Sequence, residues 1–175
     1  MKNVYRSAFA LCLGCLLGLT PWMVTGTVAS TSKLVRFESA AAPGTIVVRT
    51  GERRLYLVLG DGRALRYVVG VGRAETQWSG SSRIAGKFIR PHWAPPAEIR
   101  RDNPRLPAVI ASGSPSNPMG AAALTLSGGS YAIHGTNKPA SIGGFVSYGC
   151  IRMHDADILD LYDRVSVGTR VVVTR

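Results

Sequence analysis

The sequence predicts a mainly β domain, a sandwich or barrel with one helix packed on it, and three features carry that expectation. From residue 45 onward, β-branched and aromatic residues fall in short runs broken by glycine, proline and aspartate. An Asp-Gly pair, Asp61-Gly62, lies between two of these runs, where a tight hairpin needs positive φ. Only after residue 150 does the apolar spacing change from two to 3.6. At 175 residues the chain accommodates one domain plus extensions, with a core that needs no disulfide staples.

Taken in order, residues 1–29 have the three parts of a secretory signal: Lys2 and Arg6 at the start, an apolar run over 8–19, and the small-residue exit Thr27-Val28-Ala29 before Ser30. The run is short for a spanning helix and Pro21 interrupts it, which favours cleavage over anchoring. Cys15 in Leu13-Gly14-Cys15 offers a lipidation alternative, although Cys12 stands where an aliphatic residue is expected. Residues 30–43, polar and alanine-rich up to Pro43, read as a linker, leaving 44–175 as the folded domain. Strands are expected at 45–49 and 54–59, then at 65–71 after the Gly60-Asp61-Gly62 turn, with polar loop as far as Gly86. A strand over 86–93 contains Pro91, which suits an edge or a strand end. Residues 94–119 hold six prolines and form a long surface loop. Runs at 122–126 and 131–134 flank Ser127-Gly128-Gly129-Ser130, a hairpin that delivers His134 at its end. Beyond Cys150, Ile158, Leu161, Tyr162 and Val165 share a helical face; Asp155 and Asp157 fall in its first turn and Arg164 in its last, as the helix dipole favours. Gly168 stops the helix before a last strand at 171–173.

The formal charge is +11, and +9 once Lys2 and Arg6 leave with the first 29 residues, from 19 basic against 10 acidic residues. The arginines are scattered, with no basic helix and no zinc-finger or RNP signature, so no nucleic-acid partner is expected; an anionic cell envelope fits better, and a merely solvated basic surface better still. Of three cysteines, Cys12 and Cys15 lie in the leader, leaving Cys150 as the one thiol of the mature chain. Such a cysteine is either buried and inert or reactive.

The segment around it favours reactivity. His134 precedes Cys150 by 16 positions across a glycine-rich link, and a thiol beside an imidazole that can take its proton suits nucleophilic acyl transfer. Main-chain amides around Tyr148, Gly149 and Cys150 could stabilise an oxyanion, and Arg152 could hold a substrate carboxylate or instead pair with Asp155 or Asp157. His92 reads as a packing residue and His154 as a helix cap or surface group. A zinc site from His134, Cys150 and His154 would lack any closely spaced ligand pair before Cys150, so no metal and no cofactor are expected.

The ordered set HGT, IGG and SYGCIRM followed by an acidic helix resembles the L,D-transpeptidase catalytic domain, a family of bacterial cell-wall enzymes with a cysteine nucleophile. The similarity runs from about 45 to 173 and takes in RRLYL, Pro95-Pro96 after Trp93, Asn117-Pro118-Met119-Gly120 and the closing VGTRVVV. The resemblance implies Cys150 as nucleophile, His134 as base, the Gly135 carbonyl as the group that orients the imidazole, and Ser147, Gly149 and Arg152 lining the site. It also implies a reaction on peptidoglycan stem peptides, in which D-Ala at position four is released and the acyl group passes to an amine. Many members have His where this chain has Tyr148, which puts any role of that second histidine in doubt here. The acceptor, whether a stem peptide, an envelope protein, a D-amino acid or water, is left open. The chain is expected as a periplasmic or envelope monomer that touches membrane only if the leader is retained. The alternatives are an L,D-carboxypeptidase, another secreted cysteine acyltransferase of the sortase kind, and an inactive wall-binding β module.

Overall fold

A computed structural model describes residues 29–175, so the expected leader lies, but for Ala29, outside the described residues. The strands are β1 (Lys33–Arg36), β2 (Ile46–Arg49), β3 (Arg54–Gly60), β4 (Arg63–Val68), β5 (Val71–Gly72), β6 (Gly80–Ile89), β7 (Ala122–Leu126), β8 (Ala132–His134), β9 (Phe145–Ser147), β10 (Ile151–Arg152) and β11 (Arg170–Thr174). Two α-helices, α1 (Ala97–Asp102) and α2 (Asp155–Arg164), complete the fold. Nine strands make one mixed sheet in the order β1-β4-β3-β2-β11-β6-β7-β8-β10, and β5 pairs with β9 apart from it. The expected mainly β class therefore holds, with the helix after Cys150 where the change of period places it.

The β3–β4 hairpin turns through Gly60, Asp61 and Gly62, with φ of 98°, 49° and 66°, a left-handed run that glycine and aspartate tolerate. Strand β6 is the hinge of the sheet. Its first half pairs with β11 and its second with β7, and the register shifts between Ile84 and Gly86. It thus starts six residues before the expected strand and lies inside the sheet rather than at an edge, with Pro91 just past its end. Its sequence, GSSRIAGKFI, buries only Ile84 fully and so carries little alternation to read.

The main core joins both arms of the sheet, with Ile46, Leu55 and Tyr67 on one side and Leu124, Ile133 and Ile151 on the other, closed by Ile158 and Leu161 of α2. Each such side chain contributes about 1.5–3 kcal/mol on burial. Lys87 of β6 reaches across to α2, where its ammonium donates to the Tyr162 and Val165 carbonyls at 2.7 and 2.6 Å, placing a cation at the helix C-terminus.

Two expectations are corrected. Residues 30–43 are not a free linker, because β1 pairs antiparallel with β4, and buried Phe37 stacks on Tyr56 in a second apolar cluster with Val47 and Val58. The loop 94–119 is partly structured as well, for it contains α1 and a backbone bridge between Trp93 and Ile110.

Candidate active site

Strand β8 ends at His134 and pairs in parallel with β10, with Ile133 opposite Ile151 and His134 opposite Arg152. A parallel pair needs a crossover, which the glycine-rich chain between them supplies through β9. Side chains alternate along a strand, so His134 shares a face with Arg152 and with Cys150, one step before β10. That face opens on a cleft of about 830 Å³, whose other wall is built by Trp93, Ile99 and Leu106 of the proline-rich arm.

His134 is 2% exposed, and its Nδ1 donates to the Gly135 carbonyl at 2.7 Å, which puts a proton on Nδ1. A Cβ on Gly135 would lie 2.3 Å from Oδ1 of Asp155, so only glycine fits there. That same oxygen accepts from the amides of Ala121 and Thr136, both at 3.0 Å, and so fixes the chain on either side of the histidine's exit. Burial, with the nearby Arg152 cation, lowers the imidazole to about 4 against the pull of the Gly135 and Pro118 carbonyls.

Cys150 follows a tight turn. Ser147 Oγ donates to the Cys150 carbonyl at 2.6 Å and accepts from the Gly149 amide at 3.1 Å. Gly149 has φ of 115°, and a Cβ there would lie 2.4 Å from the Tyr131 ring. Tyr131 stacks on Trp78 with centroids 5.1 Å apart, and Trp78 Nε1 donates to the Gly149 carbonyl at 3.0 Å. Cys150 is half-buried and lines the cleft. Burial pushes the thiol up, while an Ala132 backbone contact and Arg152 pull it back. Both shifts favour the neutral forms, thiol and imidazole.

The other site residues divide. Arg152 lines the cleft and its Nε has no partner among the described residues. It pairs with neither Asp155, which serves main-chain amides, nor Asp157, which serves Ser30 and Thr31. Burial lowers the guanidinium's affinity for its proton and the Cys150 site raises it. Tyr148 turns its hydroxyl to Asp102 of α1 at 2.6 Å, and Arg73 lies 4.2 Å over its ring. The Gly149 amide is committed to Ser147, whereas those of Tyr148 and Cys150 make no hydrogen bond among the described residues. They are the donors left for an oxyanion. His92, expected as packing, is exposed at the cleft rim, and His154 stands at the N-cap of α2 without a side-chain cap bond. Trp78, Tyr131 and Asp102 have no sequence signal, because each acts through a contact between distant segments, and Asp155 is legible only as a first-turn helix charge.

A model of the YkuD L,D-transpeptidase catalytic domain matches residues 43–173. The chain is 41% identical over 135 residues to the probable L,D-transpeptidase ErfK/SrfK of Escherichia coli K12, covering 73% of this chain and 43% of that protein. It thus spans less than half the length of that relative. It is 33% identical over 175 residues to the putative L,D-transpeptidase YkuD of Bacillus subtilis 168, covering 99% of this chain and 93% of that one. Among solved structures, an L,D-transpeptidase from Mycobacterium smegmatis superposes with a TM-score of 0.58 at 18% identity, over 75% of this chain and 58% of that one. One from Enterococcus faecium also gives 0.58 at 18% identity, over 74% and 49%. At that identity the likeness is one of fold. Matched over three quarters of its length by the family model and nearly end to end by the Bacillus protein, the chain belongs to the L,D-transpeptidase catalytic domain family.

Proposed function

We propose that this chain is an exported peptidoglycan L,D-transpeptidase in which Cys150 is the nucleophile and His134 the base. The observation that carries the reading is the placing of a thiol and a neutral imidazole on one face of paired strands, at a cleft, with Nδ1 committed to Gly135. Cys150 Sγ attacks the carbonyl between the third stem residue and D-Ala at position four, and its proton passes to His134 Nε2. The Tyr148 and Cys150 amides receive the developing oxyanion, and Arg152 adds positive charge. His134 then protonates the departing D-Ala amine, leaving a thioester. An acceptor amine attacks the thioester, and the thiol is restored. Ser147, which also lines the cleft, and Gly149 hold the turn that presents Cys150. The chemistry needs no cofactor.

On this reading residues 1–29 direct export to the periplasm or envelope and 44–175 catalyse, with 30–43 docked on the domain. The protein acts as a monomer on stem peptides, and its acceptor is a second stem, an envelope protein, a D-amino acid or water. Incubation of the exported protein with defined tetrapeptide muropeptides, followed by mass spectrometry, tests it. Release of D-Ala with new cross-links supports transpeptidation. Tripeptide alone would mean that water is the acceptor, an L,D-carboxypeptidase. No release of D-Ala would rule the function out.

A further inference from the structure

Asp157 is fully buried in the first turn of α2, yet no side-chain cation lies within salt-bridge distance of it among the described residues. Its carboxylate is filled instead by the start of the described chain. Ser30 Oγ donates to Oδ1 at 2.9 Å, the Thr31 amide to Oδ1 at 2.7 Å, and Thr31 Oγ1 to Oδ2 at 2.9 Å. Ser30 is also the first residue after Thr27-Val28-Ala29, the exit of the export signal.

We infer that Asp157 is the binding site for the chain's own new N-terminus, the α-ammonium group that cleavage after Ala29 creates on Ser30. The inference rests on the export-signal reading given above. Successive backbone nitrogens are at most about 3.7 Å apart. With the Thr31 nitrogen 2.7 Å from Oδ1, the Ser30 nitrogen therefore lies within about 6.5 Å of the carboxylate. In the precursor that nitrogen is a neutral amide. Hydrolysis of the Ala29–Ser30 peptide bond adds water across it, leaving a carboxylate on Ala29 and, at neutral pH, an ammonium on Ser30. The cation missing from the buried carboxylate is then supplied at its door. The same turn of α2 carries Asp155, which clamps the segment leaving His134, so the clasp seats the helix that supports the cleft. Charged groups near residues 30–33 are Asp160 of α2, which meets Ser32 and is held by Tyr67 of β4 and by Arg164, and Lys33 of β1. Asp160 adds to the pull on the ammonium, while Lys33 and Arg164 oppose it.

The full-length chain, exported and processed by a bacterial host, tests the site without reference to catalysis. Intact mass should place the mature N-terminus at Ser30, and NMR titration should raise its α-amino group by a pH unit or more above the ordinary value of about 7.7–8.0. A variant with one glycine inserted between Ala29 and Ser30 keeps Ser30 and Thr31 but moves the ammonium away. It should melt several degrees below the native product. A raised α-amino group lends stability in full below its unfolded titration, and that stability is lost as pH rises through the folded one. The difference should therefore be complete near pH 6–7 and vanish above about pH 10. Asp157→Asn should bring the α-amino group back to its ordinary value. An uncleaved chain, cleavage elsewhere, an ordinary α-amino titration in the native product, or equal melting of the native and glycine-inserted proteins would each overturn the assignment.

Discussion

At the scale of single residues, the chemistry turns on the electrostatic state of Cys150 and His134. Cys150, His134 and Arg152 stand out because thiol, imidazole and guanidinium occur in an otherwise small, apolar segment. That the histidine sits 2% exposed beside Arg152, and so rests neutral, depends on three strands meeting. Two outcomes follow from the neutral pair. Alkylation of Cys150 by iodoacetamide should rise only at and above the ordinary thiol range of about pH 8.5, whereas a preformed thiolate would label fast already near pH 6. His134 also binds a proton less readily folded than unfolded, so its neutral burial stabilises fully above about pH 6.5 and the contribution is lost as pH falls to about 4. The integrated effect is about 3 kcal/mol. Melting temperature measured from pH 7 to 4 should fall more steeply in the native protein than in His134→Gln, and equal slopes would contradict the buried neutral state.

Elements with a clear period or a strong turn were readable, and those held by partners were not. The β3–β4 hairpin and α2 come straight from an Asp-Gly pair and a 3.6 spacing. Strands β5 and β10 have two residues each, too few for any pattern, and exist because neighbouring chain supplies their hydrogen bonds. Strand β1 reads as linker because its residues are mostly exposed, and β4 rather than its own composition makes it a strand. The turn before Cys150 has no room for a side chain at Gly149. Gly149→Ala would force a methyl into the Tyr131 ring and a left-handed backbone on alanine. We expect a loss of about 2–4 kcal/mol in chemical denaturation and of nearly all turnover. A variant with native stability and turnover would show that the turn tolerates relaxation.

Across the whole molecule, charge and topology act together. One face of the sheet sets Lys33 opposite Arg66, Arg49 opposite Arg54 and Arg83 opposite Arg170, like charges across neighbouring strands that weaken pairing and attract anions. Retention on isolated cell-wall sacculi should therefore fall as salt is raised from 50 mM to 500 mM, and retention indifferent to salt would remove charge as the cause. The sheet meanwhile brings a histidine at the end of β8 and a cysteine one residue before β10, 16 positions apart, onto one face, and the central claim is that this juxtaposition forms an acyl-enzyme. The most direct test is to mix the exported protein with a tetrapeptide stem, quench within one turnover, and map the adduct by peptide mass spectrometry. The account predicts a tripeptide acyl group on Cys150 and one equivalent of D-Ala released with it, both absent from Cys150→Ala. Release of D-Ala by the alanine variant, or an adduct on any other residue, would contradict it.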